Sequence, residues 1–248
     1  MADELKERLA MVSREFNDIL CIGPIGSLAD IIIAERQANV TVAKLSNANS
    51  CADELVIEED RLPFAQQSFD LILSAGTLDS VNDLPGALIQ LRHALRPDGL
   101  LLASLFGAGS LRALKTAMMQ ADGQIVRAHV HPQIDLRSAA DLMSRAGFAL
   151  PVADQDRLGV RYTNWRRLVK DIRETGAGNA LAGTRGYLGR DYLDRLDAAW
   201  AGLADKDGKV TENFAFLQLS GWAPSADQPK PAKRGSGAVS LAAVLNRK

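Results

Sequence analysis

An α/β fold with a mostly parallel sheet covered by helices is predicted by three features of this 248-residue sequence. Residues 19–22, 69–73 and 100–105 are nearly continuous apolar runs without polar alternation, the pattern of strands buried on both faces. Segments with helical spacing, residues 28–36 and 84–95, stand between those runs. Turn residues punctuate the joins: Gly23, Pro24 and Gly26 after the first run, and Arg96-Pro97-Asp98-Gly99 before the third. Strands alternating with helices imply right-handed crossovers and a parallel sheet.

The individual elements follow in order. Leu5, Leu9, Val12 and Phe16 recur at three- and four-residue steps, which predicts an amphipathic helix over 3–16 lying on the domain. Residues 19–22, 40–45 and 55–57 read as strands, with a loop and the helix 28–36 after the first. Asn82-Asp83-Leu84-Pro85 opens the helix that joins 69–73 to 100–105. Beyond residue 110 come a helix over 110–120, a loop with His129 and His131-Pro132, and a helix opened by Asp135 or Ser138 and closed by Gly147. Residues 148–152 and 156–162 read as two extended segments, 165–174 and 191–203 as helices, and 209–222 as the final strand.

These elements give one domain over 1–223, in which 164–208 is a helical insertion before the last strand. From Pro224 the composition turns to Pro, Lys, Ser and Gly, so 224–248 is expected as a flexible basic tail. Its Lys230, Lys233, Arg234, Arg247 and Lys248 face a single acid, Asp227. Residues 239–245 there form either a short helix with an apolar side for a protein partner or a terminus without function.

Composition excludes several classes. Lys plus Arg number 29 against 30 for Asp plus Glu, so no overall basic field draws the chain to nucleic acid or anionic membrane. Cys21 and Cys51 lack metal-ligand spacing, and the N-terminal segment has no signal-peptide apolar core. The longest apolar runs hold about six residues where a membrane span needs about 20. The expectation is a cytoplasmic protein with no metal and no transmembrane segment.

The order Leu62-Pro63-Phe64, Ser68-Phe69-Asp70 and Arg96-Pro97-Asp98-Gly99 resembles the second half of class I S-adenosylmethionine-dependent methyltransferases. The resemblance implies a Rossmann-like, mostly parallel seven-stranded sheet flanked by helices, ending in an antiparallel pair of strands with an insertion between them. It also implies S-adenosylmethionine as cofactor. In that family a glycine turn after the first strand lets the backbone approach the cofactor, and the next helix offers its amides. The family's Asp-x-Gly-x-Gly-x-Gly falls on Cys21, Gly23, Ile25 and Ser27, with Gly26 displaced by one, so the loop is degenerate. The acid for the ribose falls at Lys44, which cannot accept those hydrogen bonds. The acid facing adenine falls at Glu58, with Glu59 and Asp60 beside it. The implied cofactor set is therefore Gly23, Pro24, Gly26, Lys44, Glu58, Glu59 and the backbone near Ser74. Ile25 is expected beside the carboxypropyl group, and Cys21 at the pocket mouth as a packed free thiol.

A narrower resemblance covers residues 55–222. Phe106-Gly107 before Leu111-Arg112, His131-Pro132 before Asp135-Leu136-Arg137, Arg145-Ala146-Gly147-Phe148, and Asp171-Ile172-Arg173 carry it. Together they look like the branch that holds a mitochondrial complex I assembly factor which hydroxylates an arginine, with its α-proteobacterial relatives. The malonyl-carrier O-methyltransferases of biotin synthesis are similar at greater distance.

Five residues are candidates for the substrate side. His131 falls at the carboxyl ends of the strands, where open α/β sheets bind ligands, as a general base or as a loop histidine that fixes backbone. Arg137, Arg161 and Tyr162 face an anionic substrate or a protein loop, or are solvated and ion-paired. Asp79 faces the transfer site or caps a helix. Three functional readings stand: a methyltransferase of unknown acceptor, a non-catalytic assembly factor, and a protein arginine hydroxylase.

Overall fold

The computed structural model describes residues 1–25, 28–36, 38–45, 55–58, 61–124, 127–175, 178–179, 181 and 188–228. Seven strands, β1 (Asp18–Ile22), β2 (Asn39–Leu45), β3 (Leu55–Ile57), β4 (Phe69–Ala75), β5 (Leu95–Phe106), β6 (Ala149–Tyr162) and β7 (Val210–Trp222), form one sheet. Their order is β3-β2-β1-β4-β5-β7-β6, parallel throughout except that β7 runs antiparallel to β5 and β6. Every residue of β4 is buried, as its central position and unbroken apolar run require.

Helices cover both faces. Helix α1 (Ala2–Ala10) and α2 (Leu28–Arg36) lie on one, where Leu5, Leu9, Phe16, Ile25, Ile32, Leu71 and Leu73 share a core. Helices α3 (Leu84–Ala94) and α5 (Leu136–Arg145) cover the other, around Leu20, Ile72, Leu91, Leu101, Met143 and Phe148. Helices α4 (Arg112–Asp122), α6 (Trp165–Glu174) and α7 (Arg190–Gly202) pack with the far ends of β6 and β7 in a third cluster built on Leu114, Leu168, Leu196, Trp200 and Phe214. Both α6 and α7 belong to the helical insertion that precedes the last strand.

Local chemistry fixes the helix starts. Asp83, Asp135 and Asn164 each accept the backbone N–H three residues on, at 2.9 Å, for α3, α5 and α6. Helix α4 has no such cap, because its preceding residue is Leu111 in a left-handed conformation. Its amides are met from β7, where fully buried Glu212 accepts from the N–H groups of Ala113 at 3.2 Å and Leu114 at 2.8 Å.

The structure differs from the sequence expectation in three places. Helix α1 stops at Ala10, not residue 16. The buried Asp70 carboxylate accepts the N–H groups of Asn17 at 2.8 Å and Asp18 at 3.0 Å, so the chain is captured as a loop that still buries Phe16. Residues 148–152 and 156–162 belong to one long strand, with a register shift between Ala149 and Val152 around Pro151, which has no N–H to donate. Strand β5 begins at Leu95, its Arg96 to Gly99 stretch forming an irregularity in the ladder with β4. Of the expected tail, residues 229–248 lie outside the described residues; Gln228 donates through Nε2 to Asp98 Oδ1 and the Ala223 carbonyl, both at 2.9 Å. No described helix is long and apolar enough to cross a membrane.

Candidate functional site

The carboxyl ends of β1, β4 and β5 converge on one edge of the sheet, the usual ligand edge of open α/β sheets. Gly23 follows β1 with φ +90°, its N–H donating to the Ala43 carbonyl of β2 at 3.0 Å. A Cβ here would lie 2.3 Å from the Ala75 carbonyl oxygen and 2.4 Å from the Thr77 methyl, so only glycine fits. Pro24 is exposed beyond it, and Gly26 and Glu59 lie outside the described residues. Ser74, level with Ile22 on β1, is buried, and its hydroxyl pairs with that of Thr77 at 2.7 Å. Half-buried Lys44 lies level with Val56 near the end of β2, and Glu58 is exposed just past β3.

Two expectations about this loop are corrected. Ile25 does not face the ligand edge; it is 2 % exposed and packed with Leu5, Leu9 and Leu28. Cys21 is not at a pocket mouth: it is fully buried, and burial pushes its thiol pKa up to about 12.

Asp79 and His131 come together. With Phe106, Leu111, Val130, Gln133 and Ile172 they line a cavity of about 30 Å³, room for roughly two ordered waters or the tip of one side chain. Asp79 stands in the turn after β4, not at a helix start. Its Oδ1 is enclosed and accepts no hydrogen bond among the described residues, and burial raises its pKa from 3.8 to about 6. An enclosed carboxylate oxygen without a hydrogen-bond partner is an uncommon and costly feature. Gln133, which sequence reading missed, is oriented by Lys115 Nζ at 2.9 Å, and desolvation lowers the pKa of that lysine despite the nearby Glu212 carboxylate.

The other three candidates do not line this cavity. Arg161 is engaged by Asp205 and Asp207, at 2.5 and 2.9 Å, in the turn before β7. Tyr162 is a core residue of the third cluster, its hydroxyl pKa raised to about 12 by burial and by hydrogen bonding to Asp171. Arg137 is exposed on the first turn of α5. Among the described residues no group of His, Cys, Asp and Glu could hold a metal ion.

The sheet order with its terminal antiparallel strand and the left-handed glycine turn after β1 define a class I methyltransferase fold. The Gly23 turn and the exposed Glu58 carboxylate, which accepts from an amine, are compatible with a nucleoside sulfonium cofactor at this edge, whereas Lys44 offers a donor where the ribose diol needs an acceptor, and buried Cys21 and Ile25 stand where the family has an acid and a glycine.

The chain belongs to the methyltransferase domain family, whose model matches residues 3–151. It is 32 % identical over 192 residues to the mitochondrial arginine-hydroxylase NDUFAF5 of Danio rerio, covering 76 % of this chain and 60 % of that one. The mouse (Mus musculus) protein of that name is 30 % identical over 97 % of this chain and 74 % of its own length. A malonyl-[acyl-carrier protein] O-methyltransferase of Laribacter hongkongensis is 32 % identical over 78 % of this chain and 64 % of its own. The chain thus spans about 60 % of the length of the first of these relatives. Among solved structures, the YcgJ protein of Bacillus subtilis superimposes with a TM-score of 0.59 at 14 % identity, covering 91 % of this chain and all of that one.

Proposed function

We propose that this chain is an S-adenosylmethionine-dependent methyltransferase whose acceptor is a basic nitrogen on a protein side chain. The observation that carries the reading is the enclosed, unpartnered Oδ1 of Asp79 beside His131 in a cavity sized for a side-chain tip. A carboxylate in that setting stabilises a cationic group and repels an anionic one. With its pKa near 6, Asp79 also accepts a proton close to neutrality, the step that readies an amine or guanidine nitrogen for attack. Phe106, Leu111, Val130 and Ile172 keep the surroundings apolar and strengthen that interaction.

The cofactor, held at Gly23, Glu58 and the backbone near Ser74, supplies an electrophilic methyl group when bound. Lys44 in place of an acid removes one hydrogen bond to a charged acceptor, which is worth about 1.5 to 3 kcal/mol or roughly ten- to a hundredfold in affinity.

A second reading is favoured by the relatives named arginine hydroxylase. It keeps the same cavity and the same basic substrate but replaces a redox-neutral methyl transfer by insertion of an oxygen atom, a two-electron oxidation that requires dioxygen and an external reductant as co-reactants. A cytoplasmic location and a protein partner bound through α6 and α7 or the basic tail fit either reading.

The test has two stages. Calorimetry with S-adenosylmethionine and S-adenosylhomocysteine decides whether the edge binds cofactor; no heat and no thermal shift at millimolar ligand would leave the non-catalytic assembly factor. Mass spectrometry of arginine- and lysine-containing peptides then distinguishes the gain of one CH2 from the gain of one oxygen atom, and no gain on any basic residue would sink both catalytic readings.

A further inference from the structure

The cavity histidine rides on a loop whose two ends are fastened by different parts of the molecule. Helix α4 ends at Asp122, whose side chain is 4 % exposed. Its Oδ1 accepts from Arg127 Nη1 at 2.9 Å, and its Oδ2 pairs with His129 Nε2 at 2.7 Å. From α7, the Tyr192 hydroxyl lies 3.4 Å from the same His129 nitrogen, and the Arg127 guanidinium stands 5.7 Å from the centre of the Tyr192 ring. Arg195, also on α7, donates through Nε to the Ala121 carbonyl at 2.8 Å. Residues 127 and 129 are therefore held between the end of α4 and the insertion helix.

The far end of the loop is tied to the turn that follows β5, where the Ala108 N–H donates to the Ile134 carbonyl at 2.8 Å. Between these anchors, Val130, His131 and Gln133 line the cavity together with Asp79. None of Asp122, His129 and Tyr192 lines it. We propose that these three are positioning residues, which set the seat of His131 and make it depend on the placement of α7. The proposal rests on reading the cavity as the substrate pocket. Its physical basis is the shortness of the loop: only one residue separates the clamped His129 from His131, and misplacement of a reacting group by about 1 Å reduces rate by about a hundredfold. A partner that moved α7 would thereby act on the cavity without touching it.

The chain has three histidines, His93, His129 and His131, so their ring signals are assignable by single His→Gln variants. In proton–carbon spectra of the imidazoles, Tyr192→Phe and His129→Gln are expected to move the His131 signal and leave that of His93 in place. The same variants should weaken binding of N-acetyl-arginine amide by roughly tenfold, with S-adenosylhomocysteine affinity unchanged by calorimetry. Tyr192→Phe removes one hydroxyl and keeps the ring in the core, so this variant keeps its fold. An unmoved His131 signal in folded Tyr192→Phe and His129→Gln would overturn the proposal. If the wild-type protein ignores the arginine probe while His131 still responds to the variants, the brace stands and the reading of the substrate falls.

Discussion

Replacing Asp79 by asparagine is expected to stabilise the protein at about pH 8 and to leave its stability unchanged at about pH 3. Burial raises the pKa of this carboxyl from 3.8 to about 6, opposed by a hydrogen bond from its own backbone N–H. Below 3.8 the group is protonated in both folded and unfolded chains and contributes nothing. Between 3.8 and about 6 the unfolded chain releases the proton while the folded chain keeps it, so stability falls as pH rises. Above about 6 both are ionised and the deficit is complete. At about 1.4 kcal/mol per pH unit, that interval corresponds to about 3 kcal/mol as an upper limit. Water reaching the half-buried residue lowers it, and a gain of about 1 to 3 kcal/mol is expected, or roughly 2 to 12 °C in Tm for a chain of this length. Scanning calorimetry of wild type and Asp79→Asn at both pH values measures this directly. A variant less stable than wild type at about pH 8, or one equally stabilised at about pH 3, would refute the argument that Asp79 is held ionised against its surroundings. The gain should come with loss of affinity for basic side chains, since a group that destabilises the fold and contacts the cavity is the pattern of a functional residue.

Three further outcomes follow from the packing. Glu212→Ala removes the acceptor for the Ala113, Leu114 and Asn213 N–H groups, and urea denaturation should register a loss of about 3 to 5 kcal/mol; a loss below about 1 kcal/mol would mean that α4 needs no cap from β7. Gly23→Ala forces a Cβ against the Ala75 carbonyl at positive φ and should cost about 2 to 4 kcal/mol, visible as a lowered melting temperature. Cys21, with its thiol pKa pushed up to about 12 by burial, should resist Ellman's reagent in a Cys51→Ser background until the protein is unfolded; rapid labelling of the native protein would contradict its enclosure.

The strands read at 19–22, 69–73 and 100–105 were legible because burial on both faces leaves a short apolar run, here bounded by turn residues and too short for a helix. Asp83, and Asp135 as one of two starts read beside Ser138, were legible because a cap is a local bargain between a side chain and an amide three residues away. What escaped reading depends on partners distant in sequence. The entry of the chain from the loop after α1 into β1 is held by Asp70, the continuity of β6 involves Asp154 held by Arg8, and the start of α4 is satisfied by Glu212. The site divides the same way. Asp79 and His131 are joined only by the fold, whereas Arg161 is occupied by two aspartates of a turn that its own neighbourhood does not announce. Gln133 carries no sequence signal at all, since its role arises from Lys115 across the loop.

The motifs that carry the family resemblance turn out to be framework. Asp70 of the Ser-Phe-Asp stretch spends both carboxylate oxygens on Asn17 and Asp18 amides, and Arg96 donates to Asp18 Oδ2 at 2.7 Å. A Cβ on Gly99 would sit 2.9 Å from the Arg96 carbonyl and 3.2 Å from that of Asp70. Gly23, the one glycine of the cofactor pattern that stays in register, is demanded by its contact with Ala75 and Thr77 whether or not a ligand approaches. Each of these residues would be required by the sheet in a protein that bound nothing, so their presence argues for the fold and carries no weight for the chemistry. The chemical argument falls to groups the framework leaves over: the exposed Glu58 carboxylate, the enclosed Asp79 oxygen, and His131 and Gln133 on their braced loop. Variants of those four are therefore where catalysis and stability should separate, with activity lost and melting temperature kept or raised, while variants of Asp70, Arg96 or Gly23 should lose both together.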